Sequence, residues 1–330
     1  MQAFNGDARV KRVIMERLRG HLAAGELVPR QRVWEDGKGS PAGCAVHDSD
    51  PLVYERELGI SRTVLPLMET LFARSAGLLP KPEVASPAWL LPEQVAALRM
   101  FPVEWLEAVE PGADLSAAST RFILWMLTDT QHGVLAATAD HKVREMIGRV
   151  AAAHRAGVDG ATPDKQQWAA LRTQAMAVRD LWPEATFAAD AAAASVTEAA
   201  CWPQMQGGGR AGEETLNGYL RLAECRAAAL SGWADDDEQQ LLQERDELRK
   251  VLMAIPETAD AATIESAKSA AVAAFHRRME AKLDGLGARR NAYLEENRRQ
   301  SWLLLSAAEQ ALLHIVRAAP TAIHSSSTRV

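Results

Sequence analysis

Apolar positions recur at helical spacing along most of the chain. Val10, Val13, Ile14, Leu18 and Leu22 follow one another at helical spacing behind Asp7, a candidate N-cap. The same period predicts an all-α protein with many helices. The further helical segments are residues 61–77, 92–109, 116–128, 140–156, 167–182, 183–202, 215–232, 235–255 and 262–319.

One of these segments is apolar on every side. The run FILWML lies inside the helix predicted over residues 116–128. A helix without a polar face belongs in the centre of a core. We therefore expect the middle of the N-terminal domain to contain Phe122, Ile123, Trp125, Met126 and Leu127.

Residues 33–60 interrupt the helical pattern near the N-terminus. Their sequence, VWEDGKGSPAGCAVHDSDPLVYERELGI, is rich in glycine, proline and carboxylates and has no helical period. We predict a long loop here, and any chemical site of the N-terminal half is expected within it.

A second interruption suggests a domain boundary. The run PQMQGGGRAGEE holds four glycines and a proline in a polar setting, which disfavours both a helix and a core. We predict a helical domain over residues 1–203, a glycine-rich linker over 204–214 and a second helical domain over 215–330. The first is expected to be a multi-helix bundle.

The second domain has coiled-coil-like spacing. Its apolar residues step by three, four and seven with charges between them, and Pro256 and the GLG run at 285–287 allow short turns. This pattern predicts a long antiparallel helical hairpin or a small bundle, and association through residues 238–318, with a homodimer as the expected product. The seam residues are Leu241, Leu248, Leu252, Ile255, Ile264, Ala271, Phe275, Met279, Leu283 and Leu286.

Charge argues against a dedicated nucleic-acid surface. The formal net charge is −6, and 24% of the residues are charged. A local excess of arginine in the second domain leaves two interpretations open, a solvated face or a surface for an acidic partner or RNA. These arginines are Arg277, Arg278, Arg289, Arg290, Arg298 and Arg299.

Cysteine usage favours a reducing compartment. Cys44, Cys201 and Cys225 are odd in number and lack a disulfide framework spacing. The N-terminal residues have no apolar signal-peptide core, and no apolar run is long enough to span a bilayer. We expect a cytoplasmic protein that does not enter the membrane. The sequence also contains no recognised cofactor motif, because GKGS at 37–40 lacks the spacing of a phosphate-binding loop.

The densest group of chemically capable residues lies at positions 34–50. Cys44 and His47 are three apart, Asp48 and Asp50 follow, and His21 and Trp34 are potential neighbours. Three interpretations stay open: a metal site, a Cys44 nucleophile with His47 as base and Asp48 or Asp50 orienting it, or a buried cysteine and a histidine that hold the loop in place. Whether the protein is an enzyme is left open.

A family resemblance rests on four runs. W-E-D-G-K-G, G-C-A-V-H, Y-E-R-E-L-G-I and L-M-E-T-L-F together resemble a family of uncharacterised bacterial proteins rich in alanine and tryptophan. The resemblance covers residues 33–140, with Ser61 where the family usually has proline. It implies no activity. Because it does not extend past the glycine-rich run, the C-terminal half is expected to be an added module.

Two functional hypotheses follow. The first is a helical interaction or structural protein in a bacterial cytoplasm, supported by the seam of the second domain. The alternative is an enzyme, or a ligand- or metal-binding protein, with its site at residues 34–50. They differ in one property, because a catalytic cysteine is partly exposed with a lowered pKa, whereas a structural cysteine is buried.

Overall fold

The computed structural model describes residues 1–79, 89–182, 186–202, 210–256, 260–281 and 285–321. Over these residues it is an all-α protein, as predicted, with one two-stranded antiparallel ribbon, β1 (Trp34–Glu35) and β2 (Lys38–Gly39). No described helix is both long and apolar enough to cross a membrane. The helices are α1 (Ala8–Ala23), α2 (Pro41–Val46), α3 (Pro51–Leu58), α4 (Leu65–Ala76), α5 (Pro92–Ala108), α6 (Ala118–Thr128), α7 (Val134–Ala137), α8 (His141–Val158), α9 (Lys165–Arg179), α10 (Ala189–Ala199), α11 (Arg210–Ser231), α12 (Asp235–Met253), α13 (Ala261–Ala281) and α14 (Leu286–Arg317).

The chain forms two compact units, each built from separated segments. Unit 1 comprises Met1–Pro183, Asp190–Leu222 and Trp302–Val330, and unit 2 comprises Glu184–Ala189 and Ala223–Ser301. This division differs from the predicted one, in which residues 1–203 and 215–330 each formed one continuous domain. The reason is that the first part of α11 and the second half of α14, both predicted for the second domain, bury apolar residues in unit 1.

The predicted linker is only partly described. Residues 210–214 are not a linker, because α11 already begins at Arg210 and carries Gly212 in its first turn. Residues 203–209, like the predicted seam residue Leu283, lie outside the described part of the chain. The linker character of residues 203–209 stays a prediction.

Residues 33–60 are not one long loop, and the prediction of a loop over this whole segment is wrong. They contain the β-ribbon and two short helices, α2 and α3. Each helix starts with a capping residue followed by proline. Ser40 Oγ accepts from Gly43 N before α2, and Asp50 Oδ1 accepts from Leu52 N before α3. Proline suits the first helical position, since the N–H that it lacks would have no helical partner there.

The apolar run in α6 lies in the core of unit 1, as expected. Phe122, Ile123, Met126 and Leu127 are all completely buried. Trp125 is the exception, because it is only partly buried and packs beside Phe122 with ring centroids 5.8 Å apart. α6 packs on α8, and Trp125 also contacts Tyr219 of α11 with ring centroids 5.7 Å apart.

The second half of α14 belongs to the core of unit 1. Trp302 is buried with Leu90 and Leu98. Further along the helix, the hydroxyl of Ser75 donates to Oε1 of Glu309 over 2.6 Å. Burial, together with the charge of Glu104, raises the pKa of Glu309 to about 8, although the Ser75 hydrogen bond acts in the opposite direction.

Unit 2 contains the predicted antiparallel hairpin, made by α12 and α13. Leu241 of α12 and Met279 of α13 are buried in one cluster with Leu286. One turn after Leu241 on α12, Oε2 of Glu244 accepts from Nε of Arg278 on α13 over 2.9 Å. The contact one turn later on α12 thus falls on an earlier residue of α13, so the two helices are antiparallel.

Aromatic rings close the base of this hairpin. Trp233 stacks on Tyr293 with centroids 5.7 Å apart, and Phe187 meets the same tyrosine edge-on at 5.6 Å. Arg289 Nη2 donates to Oδ1 of Asp237 over 2.6 Å. The acidic run that begins α12 therefore works partly as a cap, because Asp237 Oδ2 also accepts from Ala234 N.

The first prediction concerns Gly43, whose missing side chain leaves room for the Val33 carbonyl. A Cβ at Gly43 would lie closer to Val33 O than two atoms can approach. Gly43→Ala should therefore lower the free energy of unfolding by about 2–3 kcal/mol. Gly148→Ala is the control, because a Cβ at that exposed position of α8 meets nothing within 4 Å and should stabilise by about 0.5–1 kcal/mol. Urea unfolding measures both, and equal effects would contradict the proposed contact.

The second prediction concerns the pH dependence of stability. The pKa of Glu309 is raised from its ordinary value of 4.5 to about 8, so the folded chain holds a proton that the unfolded chain releases. Its contribution is complete below pH 4.5 and is lost as the pH rises towards 8, at no more than about 1.4 kcal/mol per unit. Glu309→Gln should remove this loss, so the variant gains stability relative to the parent between pH 5 and 8. Glu295→Gln, at an exposed site of α14, should not.

Candidate functional site

The backbone of residues 32–43 is held by close contacts around Val33. Its carbonyl accepts from Ser40 N over 2.8 Å, and the backbone of Gly39 and Gly43 passes so near that only glycine fits at either position. The ribbon of β1 and β2 thus folds directly onto the start of α2. Gly39 and Gly43 are therefore required by backbone packing, and no ligand is needed to explain why two glycines stand at this spacing.

A buried carboxylate fixes the same segment from the other side. Glu69 of α4 is 1% exposed, and its two oxygens accept from Arg32 N at 3.3 Å and Ala42 N at 3.2 Å. Burial raises its pKa, while hydrogen bonds from Ser40 and the two backbone groups act against that rise. Because Ala42 lies in the first turn of α2, the carboxylate also faces the positive end of that helix.

Cys44 points into this packed region. It is 0% exposed, and its Sγ lies 3.4 Å from the carbonyl oxygen of Gly39, to which the thiol donates. Burial raises the pKa of the thiol to about 11, with smaller contributions from Glu26 and Glu69. A cysteine nucleophile needs the opposite, an accessible thiolate.

Asp48 and Asp50 organise the turn between α2 and α3. Asp48 Oδ1 accepts from Asp50 N over 2.8 Å, and Asp50 Oδ1 accepts from Leu52 N over the same distance. Both carboxylates are therefore used for backbone capping. Neither of these hydrogen bonds orients a histidine ring.

His47 makes its ring contacts with two other elements. It ends α2 in the left-handed conformation at φ 59°, and its ring stacks on Trp34 with centroids 4.6 Å apart and an angle of 11°. Its Nε2 lies 2.9 Å from Nε2 of His21, in the last turn of α1. The structure thus brings together His47, His21 and Trp34, while the hydrogen bond of Cys44 goes elsewhere.

Glu26 completes this group and orients His21. Its Oε2 lies 2.6 Å from His21 Nδ1, so this ring nitrogen donates to the carboxylate. We call Glu26, His21, His47 and Trp34 the histidine cluster.

The histidine cluster can accept a proton or bind an electrophile. Burial, followed by the charges of Arg17 and His21, lowers the pKa of His47, so the ring is neutral near pH 7. The residue as a whole is exposed to solvent. A neutral imidazole at the surface, next to a carboxylate-bound second imidazole, is a general base or a ligand for a cation.

Two other binding interpretations of this segment have less support. The N–H groups of Gly39 and Ser40 donate to the carbonyls of Glu26 and Val33, so the GKGS run does not present them to a phosphate. Within the described residues, no group of three or more His, Cys, Asp or Glu side chains is placed to hold a metal ion.

Sequence reasoning named His47 and the neighbours His21 and Trp34, but it did not find Glu26. Glu26 lies after the end of α1 in a segment without periodicity, so its role depends on the turn that brings it back to His21. The spacing of five residues between the two is not a helical spacing, and no local pattern reveals it.

The third prediction concerns the reactivity of Cys44. Because the thiol is buried and its pKa is raised to about 11, it should react slowly with a thiol reagent at neutral pH until the protein unfolds. Cys44→Ala should lower the free energy of unfolding by roughly 1–2 kcal/mol. Mass spectrometry of labelled peptides separates Cys44 from Cys201 and Cys225, which are also buried. Fast labelling of native Cys44 would instead support a nucleophile.

Comparison with known proteins adds no relative to this picture. No family model, no curated protein and no solved structure matches the chain.

Proposed function

We propose that the protein is a helical interaction protein and that the hairpin of α12 and α13 joins it to a second copy. The observation that carries this proposal is the incomplete burial of the hairpin seam. Near its base, Leu241 and Met279 are buried, whereas the seam residues towards its tip are only partly buried. The partly buried seam residues are Leu248, Leu252, Ile255, Ile264 and Ala271.

Two helices alone cannot cover an apolar seam on all sides. Each helix shields the other along one line, and the flanks of the seam stay open to water. Val251, at the edge of the seam on α12, is 51% exposed. Packing a second hairpin on this side would bury these flanks and produce a four-helix arrangement, which is the usual way of completing such a core.

Self-pairing is favoured by the charges of the hairpin. α12 carries seven acidic and three basic residues, whereas α13 carries two acidic and three basic residues. In a two-fold pair, the acidic helix of one copy can lie against the basic helix of the other, and both contacts are made twice. Alanines of α13, such as Ala267 and Ala274, permit a close approach of helices.

The arginines of this region are already engaged in part. Arg278 binds Glu244, Arg289 binds Asp237, and Arg299 Nη1 lies 3.9 Å from Glu296 Oε2. Pairing within the chain reduces the positive field that RNA would need. These contacts favour a protein partner over a nucleic acid.

Three further proposals accompany the interaction role. We propose a cytoplasmic location, because the three cysteines are free and buried and so suit a reducing compartment. Membership of the bacterial alanine- and tryptophan-rich family over residues 33–140 also stays a proposal. The alternative function, an enzyme using Cys44, His47 and Asp48, gains no support from a buried thiol and a capping carboxylate. A site in this segment would instead depend on His47.

The fourth prediction tests self-association. Light scattering after size-exclusion chromatography at tens of micromolar should give twice the chain mass of 35.9 kDa. Val251→Glu places a charge at the edge of the seam and should produce a monomer. Its matched control is Met253→Glu on the same helix, 75% exposed and about 200° further round the helix axis, which should stay a dimer.

Both substituted residues are exposed in the single chain, so neither variant should lose its fold, and circular dichroism checks this. A parent protein that elutes as a 35.9 kDa monomer contradicts the proposal. Equal behaviour of the two variants would place the interface outside the seam of the hairpin.

A further inference from the structure

We propose that a cavity in unit 1 binds a small uncharged heterocycle of two fused rings, through an N–H group of the ligand that donates to Nδ1 of His154. The cavity has a volume of about 290 Å³ and lies between the start of α6, the last turns of α8 and the start of α9. All of its lining residues belong to unit 1, so this inference is independent of self-association through the hairpin of unit 2.

The inner end of the cavity holds a buried imidazole with one unused nitrogen. His154 is 2% exposed, and its Nε2 lies 2.9 Å from the carbonyl oxygen of Ala200. Because a carbonyl oxygen only accepts, Nε2 carries the proton. Burial lowers the pKa of His154 to about 4, so the ring is neutral at physiological pH and Nδ1 keeps a lone pair. No donor to Nδ1 is present among the described residues, and a ligand in the cavity would supply one.

The walls of the cavity favour a flat ligand with apolar faces. Trp168 lines the cavity beside His154, with ring centroids 4.8 Å apart. The aliphatic part of the lining is formed by Ala117, Ala153 and Val158. A sugar or another polyol would leave several hydroxyl groups without partners against these walls, which costs free energy. An aromatic ring with a single N–H at its edge avoids this loss.

The mouth of the cavity adds polar groups without adding charge. Ser116 and Thr162 line the cavity and are exposed, so their hydroxyls can contact the outer edge of a ligand. With His154 neutral, none of the described residues that line the cavity carries a charge. A charged ligand would therefore lose its hydration without gaining an ion pair, and the cavity favours an uncharged molecule.

The volume of the cavity sets the size of the ligand. An apolar cavity of about 150 Å³ is large enough to hold one benzene ring. At about 290 Å³, this cavity accommodates two fused rings of the benzimidazole or purine type. Such molecules offer an N–H group for His154 and a ring nitrogen that can accept from a hydroxyl at the mouth.

Calorimetric titration of the full chain with benzimidazole tests the proposal, in a buffer in which this ligand is uncharged. One molecule per chain should bind, with a Kd below about 1 mM. Benzoxazole is the matched ligand, because it has the same shape and the same ring nitrogen but carries oxygen in place of the N–H group. It should bind about 10-fold more weakly or worse, since Nδ1 of His154 is then buried without a donor.

A pair of glycine variants shows whether the ligand occupies this cavity. Gly157 lines the cavity on α8, and beyond its own helix a Cβ there meets only Thr162 Oγ1, at 3.8 Å. Gly157→Leu should therefore fill the cavity and abolish binding, and circular dichroism should show an intact fold. Gly148→Leu is the matched control, because it makes the same change on the same helix about 180° round the axis, where a Cβ meets nothing within 4 Å. It should bind as the parent does.

Nitrogen NMR of isotopically labelled histidines reads the proposed hydrogen bond directly. The Nδ1 resonance of His154 should shift when benzimidazole binds, whereas the resonances of His141, exposed on the same helix, should not. The proposal is overturned if benzimidazole does not bind, if benzoxazole binds as tightly, if the two leucine variants behave alike, or if the His154 resonance does not move.

Discussion

The N-terminal part of unit 1 depends on one buried carboxylate. Glu69 lies in the middle of α4 and accepts backbone N–H groups from both ends of the segment between Arg32 and Ala42. A buried carboxylate without partners would cost several kcal/mol, so the fold favours the one arrangement of that segment that satisfies it. The β-ribbon, the start of α2 and the inward direction of Cys44 all follow from this arrangement. The hydroxyl of Ser40 joins the same network, because it accepts from Val33 N as well as from Gly43 N.

Much of the helical fold could be read from local signals. Asp7 caps α1 through Arg9 N as predicted, and α5 and α8 follow the expected ranges closely. α2 and α3 were missed because Ser40-Pro41 and Asp50-Pro51 also look like turn sequences. In a helix of six or eight residues, apolar periodicity is too short to decide between the two interpretations. The one local signal for these two helices was a capping residue followed directly by proline.

The candidate site was harder to predict than the fold. His21 and His47 are 26 residues apart, and what brings them together is the course of the backbone around Val33 and Glu69. A sequence motif places Cys44 and His47 three apart, yet their side chains point to different surroundings, since one faces the core and the other lies at the end of α2. Closeness in sequence therefore suggested that Cys44 pairs with His47, whereas the thiol binds the carbonyl of Gly39. The spatial neighbours of His47 can be identified only from the fold.

The segmented build of unit 1 affects how the protein can fold during synthesis. Ser75 and Glu309 bind each other although 234 residues separate them, and Trp302 closes the cluster around Leu90 and Leu98. At roughly 5–20 residues per second, the ribosome supplies α14 some 10–50 s after α4. All of unit 2 is made before these contacts can form. The apolar side chains of Leu90 and Leu98 therefore lack their partner Trp302 until the end of synthesis is near.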